Sequence, residues 1–510
     1  MAKSQKKIGL IMSYIGSLLL IAVNIFLTPF MIKSLGEAEY GVYQMMMSFG
    51  GYLVLIDFGT GTVMTRFVSM FLGKGDKRGE KNYIAMNMII TLVLTTIMMM
   101  AASVMFLSMD AMYSSSLSAE QLAKAKQLFI VIAVNMAVNL WAHAFQGIIT
   151  AYEKFVFRSF YSIFRTILKL TIIVTLFSFK ADSLIIVGAD LLINLIYLIA
   201  GMLYCFLGLR VRARLYYFDK EIFLSAMWFS LAIMLQAIIN QANTRVDITI
   251  LGIMVAAESV TKYSVAMQIF QIFATLSTAA VPMYLPRFTK LVASGKTDGD
   301  MFTREMIPPS RIQTLISGAI TFCFIVCGRD FIYLWMGEGY ELSWIIAVIV
   351  MVPTFLVHAN SVVESVLDAV GKRMVRSVIL LFVAVANIGI SIVLVNWLGE
   401  LGAPIGTAVT TIVGSVIILN IYYKKAVGIK LIPLFKGMFK GIMPCFLIAT
   451  AIAAPVAILI PVSIWGFFVK AFVFGLVLLI TLLWFGLNKD EKEMAFGFIK
   501  RKLGNRFGKK

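Results

Sequence analysis

The sequence predicts an all-α protein that crosses a membrane many times, and three observations carry that prediction. Of its 510 residues, 60% are hydrophobic and only 14% charged, with a mean hydropathy of +0.91, whereas soluble proteins are roughly a quarter charged. Apolar runs of about 20 residues, the length a helix needs to span the hydrocarbon core, recur along the whole chain. Lys and Arg also gather on alternate connections between those runs.

The first run, 8–32, is too long for a signal-peptide core and has no small-residue cleavage site, so it reads as a retained span. Further runs follow at 42–72, 82–107, 127–150, 156–178, 183–209, 222–253, 261–286, 312–335, 342–368, 376–397, 402–423, 437–461 and 464–487. About 14 transmembrane helices are therefore expected, with short polar connections and no room for a soluble domain. The cysteines Cys205, Cys323, Cys327 and Cys445 all sit in apolar runs. Cys323 and Cys327 have no His or acidic company, which suits buried thiols better than a metal site.

Lys33, Lys124, Lys126, Lys180 and Lys262 are the only bases on one set of connections. Arg66, Arg165, Lys169, Arg245, Arg329 and Lys470 lie within spans, and the rest of the 45 fall on the N-terminus, the other connections and the C-tail. By the positive-inside rule both termini are cytoplasmic. The net charge of +19 then reflects basic cytoplasmic loops and implies no nucleic acid. The tail, 488–510, mixes Phe496, Phe498, Ile499, Leu503 and Phe507 with many bases, and suits a short amphipathic helix on an anionic leaflet.

The chain also repeats itself. "AYEKFVFRS" (151–159) aligns with "AVGKRMVRS" (369–377) at an offset of 218 residues, which also carries Gly188 onto Gly406. "RFVSMFLGKGD" (66–76) aligns with "RFTKLVASGKTD" (287–298), Arg66 on Arg287 and Phe67 on Phe288, and Tyr43 pairs with Tyr263. The offset crosses an even number of spans, so two six-helix bundles of parallel topology are expected, 1–215 and 216–430, with a substrate site between them. Two appended helices (431–487) and the tail complete the chain.

"TPFMIKSLGEAEYGVYQMMMSFGGYLVLIDFGTGTVMTRFVS" (28–69) resembles the opening of the lipid-linked oligosaccharide flippases, the Wzx-like polysaccharide transporters of the MOP (MATE-like) superfamily. "RVDITILG" (245–252) and "LGAPIGTAVTTIVG" (401–414) are similar to that family's seventh and twelfth helices. The resemblance covers most of residues 8–425, and the last two helices resemble the fourteen-helix branch. It implies a MATE-like fold and alternating access in a bacterial cytoplasmic (inner) membrane. It also implies a polyprenyl-diphosphate-linked glycan as substrate, for cell-surface polysaccharide biosynthesis beside a polymerase and other assembly proteins.

A charge inside a membrane helix costs about 2.5–3.5 kcal/mol on insertion scales, so each one asks for a cavity or a partner. Asp57 lies mid-way along the second expected span and has Thr278, not an acid, as its repeat mate. It is expected to line the cavity or to bond a neighbouring helix. Arg66, whose mate is Arg287, suits a snorkelling anchor at the inner interface, or a cavity contact. Arg165 and Lys169 stand one turn apart on one face of the fifth span, with Val383 and Asn387 as mates. They are the foremost candidates for gripping a phosphate-bearing head group, the alternative being pairing with Asp57 or Asp190. Arg245 is a second candidate anion contact, and Asp247, two residues on and so addressing a different partner, is a further candidate for the central cavity. The tenth span supplies His358, Glu364 and Asp368. Its two acids are candidates for H⁺ or Na⁺ coupling, as is His143 for a proton relay, unless its ring is simply satisfied. Arg329 and Asp330 mark the outer end of the ninth span.

"SGKTDGD" (294–300) ends like a phosphate-binding loop, but the position that needs glycine is Lys290 and no strand–loop–helix frame surrounds it. Its Asp298-x-Asp300 reads as a solvated turn. No nucleophile with its base, no metal-ligand cluster and no cofactor motif is present, so a transporter driven by an ion gradient or by product consumption is expected, not an enzyme. The rivals are a MATE-type multidrug antiporter, which favours an acidic cavity, and a membrane polysaccharide polymerase or ligase, which generally needs a catalytic outer loop. The longest outer connection, "SMDAMYSSSLSAEQLAKAK" (108–126), has neither Arg nor His.

Overall fold

A computed structural model of the chain describes residues 2–279, 281–295, 298–488 and 491–493. The described residues are mainly helical with no strand, and most of the expected tail helix, 494–510, lies outside them. Each expected span coincides with a helix or an interrupted helix: α1 (Ala2–Leu35), α2 and α3 (Glu37–Gly51, Thr60–Lys74), α4 (Lys77–Tyr113), α5 (Ala119–Ala151), α6 (Phe155–Phe177), α7 (Ser183–Leu203) and α8 (Lys220–Met254). They continue as α9 and α10 (Ala257–Thr278, Leu285–Ala293), α11 (Gly299–Met336), α12 and α13 (Glu341–Ala359, Val362–Val370) and α14 (Arg373–Leu398). The last spans are α15 and α16 (Gly402–Thr410, Leu419–Val427), α17 and α18 (Leu431–Phe439, Ile442–Leu459) and α19 (Ile464–Thr481). Among the described residues, ten helical segments are long and apolar enough to cross a membrane, and one of them, Arg373–Val427, holds two expected spans. The protein is an all-α, multi-pass membrane protein.

The chain forms two compact units, Met1–Ser264 with Ile388–Ala403, and Val265–Asn387 with Pro404–Lys510. In the first, α5 is the hub, packed by α2, α3, α4 and α7, while α1 pairs with α6. Its core gathers Val63, Met64, Phe67, Tyr83, Phe145 and Ile148. Lipid supplies no hydrophobic drive between helices, so close approach through small residues matters. A Cβ on Gly147 would stand 2.4 Å from the Gly61 carbonyl oxygen, and one on Gly61 would stand 2.7 Å from that of His143. Only glycine lets α3 and α5 cross this closely.

In the second unit α11 is the hub, packed by α12, α17, α18 and α19. Phe322 stacks on Phe446 with centroids 5.0 Å apart, and Gly318 makes room for the Phe446 ring. Asp330 does lie in the closing turns of α11, but its side chain faces inward onto Lys470 of α19, and both are buried. Arg311, counted from sequence among the basic connections, is also buried. It donates to the carbonyls of Gly437 (3.0 Å), Lys440 (2.8 Å) and Gly486 (2.8 Å) and to the Glu491 carboxylate (2.6 Å). These carbonyls close α17 and the helical stretch after α19, so one guanidinium serves helix ends with no intrahelical donor. Burial pushes the Glu491 pKa up, but the Arg311 and Asn488 N–H donors outweigh it and hold the carboxyl below its usual value.

Two outcomes follow. Lys470→Met should strand a buried carboxylate and cost about 3–5 kcal/mol, whereas Lys470→Met/Asp330→Leu should recover most of that loss in detergent melting curves. Because the Glu491 pKa is lower folded than unfolded, its stabilisation is present above the unfolded value and lost as pH falls through the folded one. Melting temperature should therefore drop on acidification below about pH 4.5, and Glu491→Gln should blunt that drop.

Candidate functional site

The second span, expected as one helix over 42–72, is interrupted at its middle. After α2 the chain tightens into a 3₁₀ turn, Tyr52–Asp57. Phe58 (φ 51°) and Gly59 (φ 67°) then take left-handed conformations and α3 begins at Thr60. Such a break frees backbone groups that lipid cannot satisfy. Asp57 supplies the acceptor: its Oδ1 takes the Thr60 N–H (3.1 Å) and the Thr60 hydroxyl (2.5 Å), as an acidic N-cap does. Its Oδ2 is 2.8 Å from His143 Nδ1 on α5. Asp57 therefore sits in an interruption and not along a continuous helix, and both oxygens are engaged.

Beside this break lies a cavity of about 470 Å³, lined by Asp57, Gly59, Gly61, Thr62, Thr65, His143, Gln146, Gly147 and Thr150. On α5, His143, Gln146, Gly147 and Thr150 recur at helical spacing and form one wall. Thr65 turns its hydroxyl back to the carbonyls of Gly61 (2.9 Å) and Gly147 (3.0 Å). Gln146 is 8% exposed, and neither Nε2 nor Oε1 has a hydrogen-bond partner among the described residues. A wall with a carboxylate paired to an imidazole and three threonines is polar.

The other charges within spans fall into two groups. Lys169 pairs with Asp190 of α7 at 2.8 Å, the partner expected as its alternative to phosphate. Asp247 is enclosed, accepting from the Tyr263 hydroxyl (2.6 Å) and from Ser391 (3.4 Å). Glu364 meets Arg376 at 2.5 Å, and Asp368 meets Arg373 at 3.0 Å. Arg66 is exposed and lies over the Phe229 ring, 4.3 Å from its centroid. Arg165 and Arg245 differ: each is half-buried, and neither guanidinium has a hydrogen bond or ion pair among the described residues. The backbone at Arg245 is anchored, since its carbonyl accepts from Ser48 of α2 at 2.7 Å.

No protein-family model matches the sequence. The chain is 19% identical over 474 residues to the uncharacterized membrane protein EpsK of Bacillus subtilis (strain 168), covering 88% of each. Among solved structures it is similar to the lipid II flippase MurJ in an inward closed conformation, with TM-score 0.71, 14% identity, 92% of this chain and 98% of that one. It is also similar to an inward-facing multidrug resistance MATE family transporter of the MOP superfamily, with TM-score 0.64, 14% identity, 80% of this chain and 94% of that one. The chain has a fold like those of MurJ and the MATE transporter.

On this fold, the sequence had pointed to Asp57 and His143 separately, and the structure brings them together. It does not bring Asp247, Lys169 or Arg66 to the cavity lining. Gln146 and Thr62 were missed as functional candidates because neutral polar residues raise no alarm in a span. The available signal was the motif "DFGTG", an acid three residues before Thr60 with two glycines between and after. Since Asn keeps one acceptor oxygen, Asp57→Asn should cost less stability than Asp57→Ala, which should lose about 1–2 kcal/mol of capping in melting curves.

Proposed function

We propose that this protein is a flippase that carries a polyprenyl-diphosphate-linked oligosaccharide from the cytoplasmic to the outer leaflet by alternating access, for cell-surface polysaccharide assembly. The observation that carries the reading is the pair of guanidiniums, Arg165 and Arg245, within spans of one compact unit and without a hydrogen bond or ion pair among the described residues. The same unit answers Lys169 with Asp190, and Asp57 with His143. A half-buried cation without a counter-ion is costly unless a ligand brings the anion. Guanidinium binds phosphate oxygens bidentately, which suits a diphosphate head group. Likeness to a lipid II flippase over nearly the whole chain supports a lipid-linked substrate over a soluble one, although one fold serves several substrates. Lys169 would assist Arg165 by leaving Asp190 when the anion arrives.

In this reading the membrane is the bacterial cytoplasmic one, with both termini inside and a glycan polymerase downstream. Coupling to H⁺ or Na⁺ would run through Glu364 and Asp368, each exchanging its arginine for the ion. The MATE likeness keeps drug export as the second reading, which an acidic cavity would favour. The cavity here offers one carboxylate, already paired.

Flipping of a fluorescent polyprenyl-diphosphate oligosaccharide in proteoliposomes tests the proposal. Arg165→Ala should slow flipping about ten-fold or more, the loss expected for one charge-assisted contact. Lys169→Ala should add less, because Lys169 already has a partner. Unchanged flipping in Arg165→Ala and Arg245→Ala would return both residues to architecture. Absent flipping by the native chain, with efflux of cationic dyes, would establish the drug exporter instead.

A further inference from the structure

We propose that the extended strap between α7 and α8, together with the first turn of α4, is a binding site for anionic phospholipid of the cytoplasmic leaflet, with Arg78 and Arg214 gripping one headgroup phosphate. The inference goes beyond the flippase reading and does not depend on it, and all its residues belong to one compact unit. Residues 210–219 form no helix, yet the strap is held in place. Arg214 donates its backbone N–H to the Lys81 carbonyl at 3.2 Å. The Asn82 Oδ1 accepts from the backbone N–H groups of Tyr216 (2.7 Å) and Tyr217 (3.1 Å). Asn82 is buried, so one side chain of α4 fixes where the strap runs.

The charge on this face is the second observation. Arg210, Arg212 and Arg214 are exposed on the strap, as are Lys77 and Arg78 on α4, and none of the five has an ion pair among the described residues. The acids nearest in sequence are engaged elsewhere. Asp76 and Asp219 accept from backbone N–H groups that open α4 and α8, and buried Glu80 accepts from the Tyr152 hydroxyl. Exposed Glu221 pairs with none of these bases.

Third, two guanidiniums from separate elements converge. Arg78 lies 5.0 Å and Arg214 5.3 Å from the centroid of the same Tyr216 ring. The ring orders both cations but does not neutralise them. A phosphate does, because its oxygens can accept from both forks. Leu215, Tyr217 and Phe218 stand exposed among these bases, and amphipathic side chains of this kind settle at the membrane interface. A soluble anion would meet the arginines and leave those side chains in water, whereas a lipid covers both. The positive-inside rule assigns this connection to the cytoplasmic side, where anionic lipids make the surface potential negative. A zwitterionic lipid would bring its own ammonium against the arginines, so the site selects for net negative headgroups.

Native mass spectrometry of the delipidated full chain tests this with phosphatidylglycerol, phosphatidylcholine and undecaprenyl diphosphate as probes. The native protein should bind phosphatidylglycerol about ten-fold more tightly than phosphatidylcholine, and Arg78→Gln/Arg214→Gln should erase that preference. Lys424→Gln/Lys425→Gln removes the same charge from exposed bases of α16 and should keep it. The melting temperature of Arg78→Gln/Arg214→Gln in lipid-free detergent should change little, since neither arginine has an ion pair to lose. Arg214→Gln alone, at an exposed strap position, should lower the preference in the same direction. No preference in the native protein, a preference kept by Arg78→Gln/Arg214→Gln, or an equal loss in Lys424→Gln/Lys425→Gln would overturn the site. Tighter binding of undecaprenyl diphosphate than of phosphatidylglycerol, lost in Arg78→Gln/Arg214→Gln, would make the strap a contact for a polyprenyl diphosphate and overturn the phospholipid assignment. Retention of a single-stranded oligonucleotide in place of lipid would overturn it as well.

Discussion

In lipid, every backbone N–H and carbonyl must find its partner inside the protein, and the interruption of the second span is where this chain meets that constraint most sharply. Left-handed Phe58 and Gly59 end one helical segment and restart another within the membrane-spanning stretch. Asp57 makes this tolerable by accepting from Thr60, and its second oxygen fixes His143. Placing His143 aligns the polar face of α5, and the Gly61–Gly147 crossing brings that face against α3. The cavity is what remains between a broken helix and an unbroken one.

The second unit contains a comparable break, solved with other chemistry. Between α9 and α10 the chain makes a 3₁₀ turn, Val281–Tyr284, close to Thr278, the repeat mate of Asp57. There Ser365 donates to the Val281 carbonyl at 3.1 Å, and Pro286 opens α10 without a surplus N–H. The repeat thus preserves the interruption and not the acid. The same economy appears at Arg311, whose guanidinium serves three helix-end carbonyls and tethers Glu491. Charges inside the spans therefore do two kinds of work. Asp57, Arg311 and Lys470 complete the fold, while Arg165 and Arg245 have no ion pair among the described residues.

The spans were legible because hydrophobicity and loop charge are properties of local sequence. Candidate charges were legible too, since any Asp or Arg in a span stands out. Their roles were less so. Lys169 and Arg165 share a helical face and look like one cationic pair, yet Asp190, 21 residues away, answers only Lys169. Asp247 beside Arg245 suggested a cavity acid, but Tyr263 and Ser391 enclose it. Gln146 gave no sign, because being buried without a hydrogen-bond partner among the described residues is a fact about its neighbours.

By itself, then, the sequence determined a polytopic all-α chain, the order and length of its spans, its internal repeat and the short list of residues that needed explaining. Those follow from transfer free energies and local periodicity, which each segment carries alone. Only the tertiary structure decided which charges are answered, where a span breaks and which neutral side chains face a cavity. Pairing depends on contacts between residues as far apart in sequence as Asp57 and His143, and within a span nothing but packing distinguishes a satisfied polar group from a waiting one.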